Sequence, residues 1–274
     1  MYIFQYIKNI LGIFLLLSLS PILSTCGGAV PSEKEIQKDI KEGRAAQIIR
    51  VGNATRAGGD LRSALSLYVR AHRMEPTWPE PLIHLGETHF SLGEFENAAQ
   101  AYQKATVVAP KNIKALKGYG KILISLKQPS DAAEQYRSAI KIKKDDATAY
   151  SGLGVALDMQ GLHKDAQENY RTGIKNTKNS FSLRNNLALS LALNSQFEKA
   201  IKILDELSKD PAASPRNRLN LSLIYGLLGD MENAAKAARH DLNQAQIDNN
   251  LAFYRRLKSM SSKEKAEAIF GAKK

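Results

Sequence analysis

Residues 79–112 read PEPLIHLGETHFSLGEFENAAQAYQKATVVAPKN, and residues 113–146, which follow directly, read IKALKGYGKILISLKQPSDAAEQYRSAIKIKKDD. Aligned without a gap, the two segments share a glycine at position 8, an alanine at position 20 and a tyrosine at position 24. Similarity at a fixed spacing of this length is typical of repeat proteins, in which each unit stacks on the next. The fold of this chain is therefore expected to follow from the repeat.

The same spacing continues in both directions along the chain. Cutting every 34 residues from residue 45 gives six windows without an insertion: 45–78, 79–112, 113–146, 147–180, 181–214 and 215–248. Position 20 is alanine in all six windows, at Ala64, Ala98, Ala132, Ala166, Ala200 and Ala234. Position 15 is glycine in four of them, at Gly59, Gly93, Gly161 and Gly229.

Each window predicts two antiparallel helices. A small side chain at position 8 facing the alanine at position 20 would let the two axes approach to about 8 Å. Glycine at position 15 suits the left-handed residue that ends a helix, and the aromatic residue at position 24 would fill the gap toward the next window. The pattern resembles the tetratricopeptide repeat (TPR). We therefore predict an all-α fold, a right-handed TPR superhelix of antiparallel helix pairs over residues 45–248.

Both ends of the array have their own signals. We predict a C-terminal cap over residues 249–274, with a helix near Leu251–Leu257 and a short final helix opened by the capping-box spacing of Ser261 and Glu264. Before the array, residues 26–44 are predicted to be a tether and a first helix with Ser32 as its N-cap.

The first 25 residues are predicted to be a lipoprotein signal peptide. Residues 10–23 are almost wholly apolar and, as a helix, would span about 21 Å, short of the roughly 30 Å hydrocarbon core of a bilayer. The run ends just before Cys26, which is the one cysteine of the chain. This junction resembles a bacterial lipobox, although Thr25 departs from the usual glycine or alanine. The resemblance implies lipid attachment at Cys26 and, since no aspartate follows it, the periplasmic side of the outer membrane.

Three segments resemble the TadD family: residues 184–193, residues 214–230 and the start of the cap at residues 249–254. TadD proteins are TPR lipoproteins of the tight-adherence (Flp pilus) machinery of Gram-negative bacteria. The resemblance implies a non-enzymatic scaffold that assists the assembly or localisation of the pilus secretin through protein–protein contacts.

In TPR proteins the first helix of each pair lines the concave surface, chiefly through positions 2, 5, 9 and 12. Lys114, Lys117 and Lys121 then share one helical face, which we predict takes an acidic or C-terminal peptide of the secretin. The alternative is that these lysines bind no partner and only face solvent, as lysines often do in a basic protein; the net charge of this chain is +12. The predicted partner-binding residues are Asn53, Arg56, Glu87, Phe90, Lys114, Lys117, Lys121, Asp158 and Asn185.

Other chemistries find little support in the sequence. His84, Glu87 and His89 do not match a His-Glu-x-x-His metal motif, and residues five apart on a helix lie about 140° apart around its axis. The segment 118–121 lacks the spacing of a phosphate-binding loop. Lysines and arginines are interleaved with acids rather than clustered, which argues against nucleic acid. We predict no enzymatic activity, no cofactor, no metal and no small-molecule substrate.

Two other functions remain open from the sequence. One is a general envelope TPR adaptor, for example one that recruits peptidoglycan hydrolases. The other is an enzyme accessory or regulatory TPR module without a role in the envelope.

Overall fold

The computed structural model describes residues 33–177, 180–210 and 214–271, and the side chains of these from residue 43 onward. The chain divides into two units, 1–38 and 39–274, and apart from the start of the first helix everything below concerns the second. Across the described residues there are fourteen α-helices and no strand, which confirms the all-α class. The signal peptide, Cys26 and Ser32 lie outside the described residues.

The helices follow the predicted period. The five windows from residue 79 on each begin on the first residue of a helix, at residues 79, 113, 147, 181 and 215. The bounds are α1 Glu33–Ala57, α2 Leu61–Met74, α3 Pro79–Ser91, α4 Phe95–Val108, α5 Ile113–Ser125, α6 Pro129–Ile142, α7 Ala147–Met159, α8 His163–Asn176, α9 Phe181–Leu193, α10 Phe197–Ser208, α11 Pro215–Leu228, α12 Met231–Ala238, α13 Gln244–Lys258 and α14 Ser262–Phe270.

The array begins with one long helix. The helix predicted before residue 45 and the first helix of the first window are continuous, since α1 runs from Glu33 to Ala57 without a break. Asp60 then opens α2 by accepting a hydrogen bond from the amide of Ser63 at 3.0 Å.

The turn inside every helix pair passes through a left-handed residue. Position 15 has a positive φ in all six windows, and it is glycine in four of them, as predicted. Lys127 and Ser195 take the same conformation in the remaining two, with φ of 56° and 58°. The turn geometry is therefore a property of the repeat, and glycine is the residue that adopts it at the lowest energetic cost.

The contact between paired helices differs from the prediction in one respect. The six alanines at position 20 are fully buried, as expected. The glycines at position 8, however, face the tyrosine at position 24 rather than the alanine: a Cβ added at Gly86 would lie 2.6 Å from the ring of Tyr102. Tyr102 also covers Gly118 of the next window, so its ring fills the seam between two pairs.

Each pair stacks on the next mainly through its second helix, which packs on the first helix of the following pair, as α4 does on α5 and α6 does on α7. Each first helix from α3 to α9 packs against the second helix of its own pair and against the first helix of the next, α3 on α5, α5 on α7, α7 on α9 and α9 on α11. Stacking buries the apolar surface that a single helix pair would expose to solvent, and this burial stabilises a repeat array. The first helices therefore line one continuous surface, called the inner surface below.

The array ends in a helix that starts earlier than predicted. A capping box formed by Asn243 and Gln246 opens α13 at Gln244, within the sixth window. Its Tyr254 covers Gly226, and the Tyr254 hydroxyl lies 3.2 Å from the Ser222 Oγ. The final helix α14 is opened by the predicted capping box of Ser261 and Glu264, but it packs on α7 and α9 instead of extending the cap.

Candidate protein-binding surface

Seven of the nine predicted partner-binding residues lie together on three neighbouring first helices. Asn53 and Arg56 lie on α1, Glu87 and Phe90 on α3, and Lys114, Lys117 and Lys121 on α5. We call this group of seven residues the α1–α5 ridge. It results from the register of the repeat, because repeats of equal length that stack in register bring equivalent positions side by side.

Glu87 links the three helices of the ridge. Arg56 Nη1 donates to its Oε2 at 2.7 Å, and Lys114 Nζ lies 3.3 Å from its Oε1. His84 Nδ1, one turn earlier on α3, lies 3.2 Å from the same Oε2 that Arg56 contacts. One half-exposed carboxylate therefore has three basic neighbours, from α1, α3 and α5.

These neighbours determine the ionisation of Glu87. Burial alone would raise the pKa of this carboxyl, but the hydrogen bonds from His84 and Arg56 and the charge of Lys114 lower its pKa to about 2. Glu87 is therefore a fixed anion at physiological pH. A carboxylate from a partner would find Arg56 and Lys114 already oriented toward an acid.

His84 contacts the ridge residue Glu87, although the sequence analysis did not identify it as part of the site. Its ring stacks on that of Tyr68, with the ring centroids 5.1 Å apart. Tyr68 in turn donates its hydroxyl hydrogen to Asn53 Oδ1 at 2.7 Å. The signal was available: His84 occupies position 6, where the next two windows have the glycines that tyrosine rings cover.

The three lysines of α5 each have a partner within the chain. Lys117 Nζ donates to Asp146 Oδ2 at 2.7 Å, while the other oxygen of Asp146 caps α7. Lys121 Nζ lies 4.0 Å from the centre of the Phe90 ring, in cation–π contact. Together with the Lys114–Glu87 pair, these contacts offset the mutual repulsion of three lysines on one helical face. Lys114 and Lys121 remain exposed to solvent, whereas Lys117 is half-buried.

Asp158 was predicted on the partner-binding face, and the structure corrects this. Its side chain is fully buried, with Ser190 Oγ donating to Oδ1 at 2.7 Å and Tyr170 OH donating to Oδ2 at 3.1 Å. His163 Nδ1 lies 2.8 Å from Oδ1. Burial raises the pKa of Asp158, although these three partners act in the opposite direction. Asp158 therefore joins α7, α8 and α9, and a docked partner cannot contact it.

Asn185 is corrected in the same way, since only 3% of it is exposed. The side-chain amide of Asn220 donates to Asn185 Oδ1 at 2.9 Å, and that of Asn186 donates to Ser151 Oγ at 2.9 Å. These contacts tie α7, α9 and α11 together. Position 5 of the repeat is thus a half-buried lysine, Lys117, on α5 but a buried amide, Asn185, on α9.

The segments considered for metal and phosphate have other roles. His84 is turned to Glu87, while His89 Nδ1 lies 2.6 Å from Glu94 Oε2. Gly118 and Gly120 lie inside α5 under tyrosine rings. No group of three or more metal-binding side chains, and no helix long and apolar enough to cross a bilayer, occurs in the described part of the chain.

Comparison with known families supports the repeat assignment. Residues 52–113 match the family model described as tetratricopeptide repeat, and residues 120–161 match the one described as TPR repeat. No curated protein matches the chain in sequence.

Solved structures share the fold at low identity. A tetratricopeptide repeat protein from Parabacteroides merdae is 19% identical, with a TM-score of 0.63 over 77% of this chain and 84% of that one. PilF of Pseudomonas aeruginosa is 16% identical, with a TM-score of 0.59 over 84% and 99%. PilW, a type IV pilus biogenesis factor, is 16% identical, with a TM-score of 0.62 over 80% and 96%. The likeness confirms a TPR superhelix.

Proposed function

We propose that this TPR chain is a lipid-anchored scaffold of the bacterial outer membrane that helps to assemble or localise the secretin of a Flp-type pilus. TPR repeats support the coarser part of this proposal, a non-enzymatic protein that binds other proteins. The finer part rests on the α1–α5 ridge, the N-terminal sequence and the pilus proteins among the structural neighbours.

The ridge is the observation that carries the proposal. It holds Arg56, Lys114, Lys117 and Lys121, while Glu87 and Asp146 are the acids that pair with them. Cations therefore outnumber acids among these contacts. Such a surface attracts acidic segments and raises their association rate. An acidic or C-terminal peptide of the secretin would place its carboxylates beside Arg56 and Lys114, the two groups that now contact Glu87.

Two further observations support the setting. Fold likeness to PilF and to the pilus biogenesis factor PilW shows that comparable arrays occur among pilus proteins. The apolar run at residues 10–23 followed by Cys26 is typical of a lipoprotein leader. Three acyl chains on Cys26 would hold the array at the membrane where a secretin assembles, because anchoring that involves more than one chain is stable.

The test is a charge reversal restricted to the ridge. In the full-length chain, Lys114→Glu combined with Lys121→Glu places two acids on exposed positions of the inner surface. Lys104→Glu combined with Lys141→Glu is the matched control, because both lysines are exposed but lie on the second helices α4 and α6. Each protein is used to capture partners from outer-membrane extract of cells that carry a pilus secretin.

We expect the ridge variant to lose at least about tenfold in secretin capture and most of the salt dependence of that capture, while the control keeps both. Equal capture by the two variants would contradict the ridge as the binding surface. Capture of a peptidoglycan hydrolase in place of a secretin would favour the envelope-adaptor alternative.

A further inference from the structure

The last helix lies on the array itself. α14, residues Ser262–Phe270, packs against α7 and α9, which are the first helices of windows four and five. Ser262 Oγ donates to the carbonyl of Leu193 at 3.2 Å, at the end of α9. At its other side, Glu267 Oε2 lies 3.4 Å from Lys127 Nζ in the turn after α5. The helix thus crosses α9 and α7 toward α5.

The array does not need α14 to close its end. Ile247, Tyr254 and Leu257 of α13 are buried and already cover the last pair, α11 and α12. α14 buries one side chain fully, that of Ala266, and its Ile269 and Phe270 are half-buried against the core. A helix of nine residues is not stable alone in water, so α14 depends on the surface beneath it.

α9, one of the two helices beneath α14, is apolar at a position where the ridge is charged. On α9 every residue from Asn185 to Leu193 is buried, so all sides of this helix are covered. Its residues at positions 9 and 12 are Leu189 and Ala192, whereas position 9 of α5 is the exposed Lys121. A helix that is buried on all sides requires a cover on each of them. On the side facing α14, that cover comes from a short helix at the end of the chain.

We propose that the surface of α7 and α9 under α14 is a second docking site, for an amphipathic helix of a partner protein, and that α14 occupies it until the partner arrives. The inference rests on the scaffold function proposed above. α14 shows the chemistry that fits: a small residue like Ala266, apolar residues three and four positions later, and an acid near Lys127. This is recognition of a helix in an apolar groove, with anchors at helical spacing.

The covalent connection explains how one surface serves both occupants. The short link over residues 259–261 keeps α14 at high effective concentration, so a free helix of equal affinity does not displace it. A partner that also binds the α1–α5 ridge gains the same advantage by being held nearby. The site therefore opens to a partner that is already bound, and stays covered against other apolar helices.

The experiment compares two substitutions in the full-length chain. Ala266→Glu puts a charge on the buried face of α14, and Ala268→Glu puts the same charge on an exposed position of the same helix. The probe is a fluorescent peptide of residues 259–271, added to each protein and to the unsubstituted chain. We expect Ala266→Glu to bind the peptide at least about tenfold more tightly than the other two, because its site is no longer occupied by α14. Hydrogen exchange should become faster in α14 and leave α13 unchanged.

Equal or absent peptide binding in all three proteins would overturn the proposal. If Ala266→Glu does not fold, the proposal is tested by hydrogen exchange of the unsubstituted chain. Exchange in α14 at least about tenfold faster than in α9 supports a separately opening helix, and equal rates overturn it. The assay contains no pilus protein, so its failure leaves the proposed pilus function standing, and a failed secretin capture leaves the peptide result standing.

Discussion

Ser195, in the turn after α9, has the left-handed conformation that four other windows have at a glycine. A residue with a Cβ pays roughly 1–2 kcal/mol for this conformation, while glycine adds about 0.4–1 kcal/mol of freedom to the unfolded chain. Ser195→Gly should therefore raise the free energy of unfolding by about 0.5–1 kcal/mol in urea titrations. The reverse change, Gly161→Ser, should lower it by a similar amount. A decrease on Ser195→Gly would show that the turn is not strained.

Glu87 makes a prediction about pH. Its pKa is about 2 in the folded chain against an ordinary value of 4.5, so the folded state binds the proton less readily than the unfolded state. The stability it contributes is present above pH 4.5 and is lost as the pH falls toward 2. Glu87→Gln should therefore flatten the fall of unfolding free energy over this interval. Asp158, whose raised pKa acts in the opposite direction, is common to both proteins and drops out of their difference. Parallel curves would contradict the ion-pair network around Glu87.

The contact between paired helices is tested by adding volume at position 20. Ala98 is fully buried on α4, and Ala98→Leu should cost roughly 1–3 kcal/mol of unfolding free energy because the pair has no room for the added atoms. Gln100→Leu in the same helix, at an exposed position, should change it little. Thermal unfolding of the two variants side by side gives the comparison, and equal costs would refute the predicted packing.

At the level of helices, the sequence predicted where each helix lies along the chain better than which side chains the helix contacts. The starts of α3, α5, α7, α9 and α11 follow from the period alone, because each window repeats the same local signals. The predicted contact between positions 8 and 20 was wrong. The spacing shows that a small residue is needed at position 8, but it does not show which side chain packs against it. The burial of Asp158 and Asn185 was missed for a related reason, since it comes from neighbouring helices through Ser190 and Asn220. The docking of α14 on α7 and α9 depends on contacts across several windows, which no local pattern records.

For the entire chain, the lipid anchor remains a prediction from sequence, because Cys26 lies outside the described residues. Cys26→Ser should abolish incorporation of labelled palmitate and move the protein from the membrane to the soluble periplasmic fraction. The folded array should be unaffected, so its circular dichroism and thermal midpoint serve as the control. Labelling that persists in the Cys26→Ser variant would exclude this residue as the acylation site.

The two tyrosines that cover a glycine of the next window determine where the protein can change its length. Tyr102 covers Gly118, and Tyr136 covers Gly152, one window later at the same position. A gene that lost residues 113–146 would bring Gly152 under Tyr102 and recreate the junction it had removed. Loss of residues 147–180 would instead bring Asn186 under Tyr136, where a side chain meets the ring. Duplication or deletion in the middle of the array can therefore alter the reach of this scaffold in whole steps, while its fifth window is fixed in place.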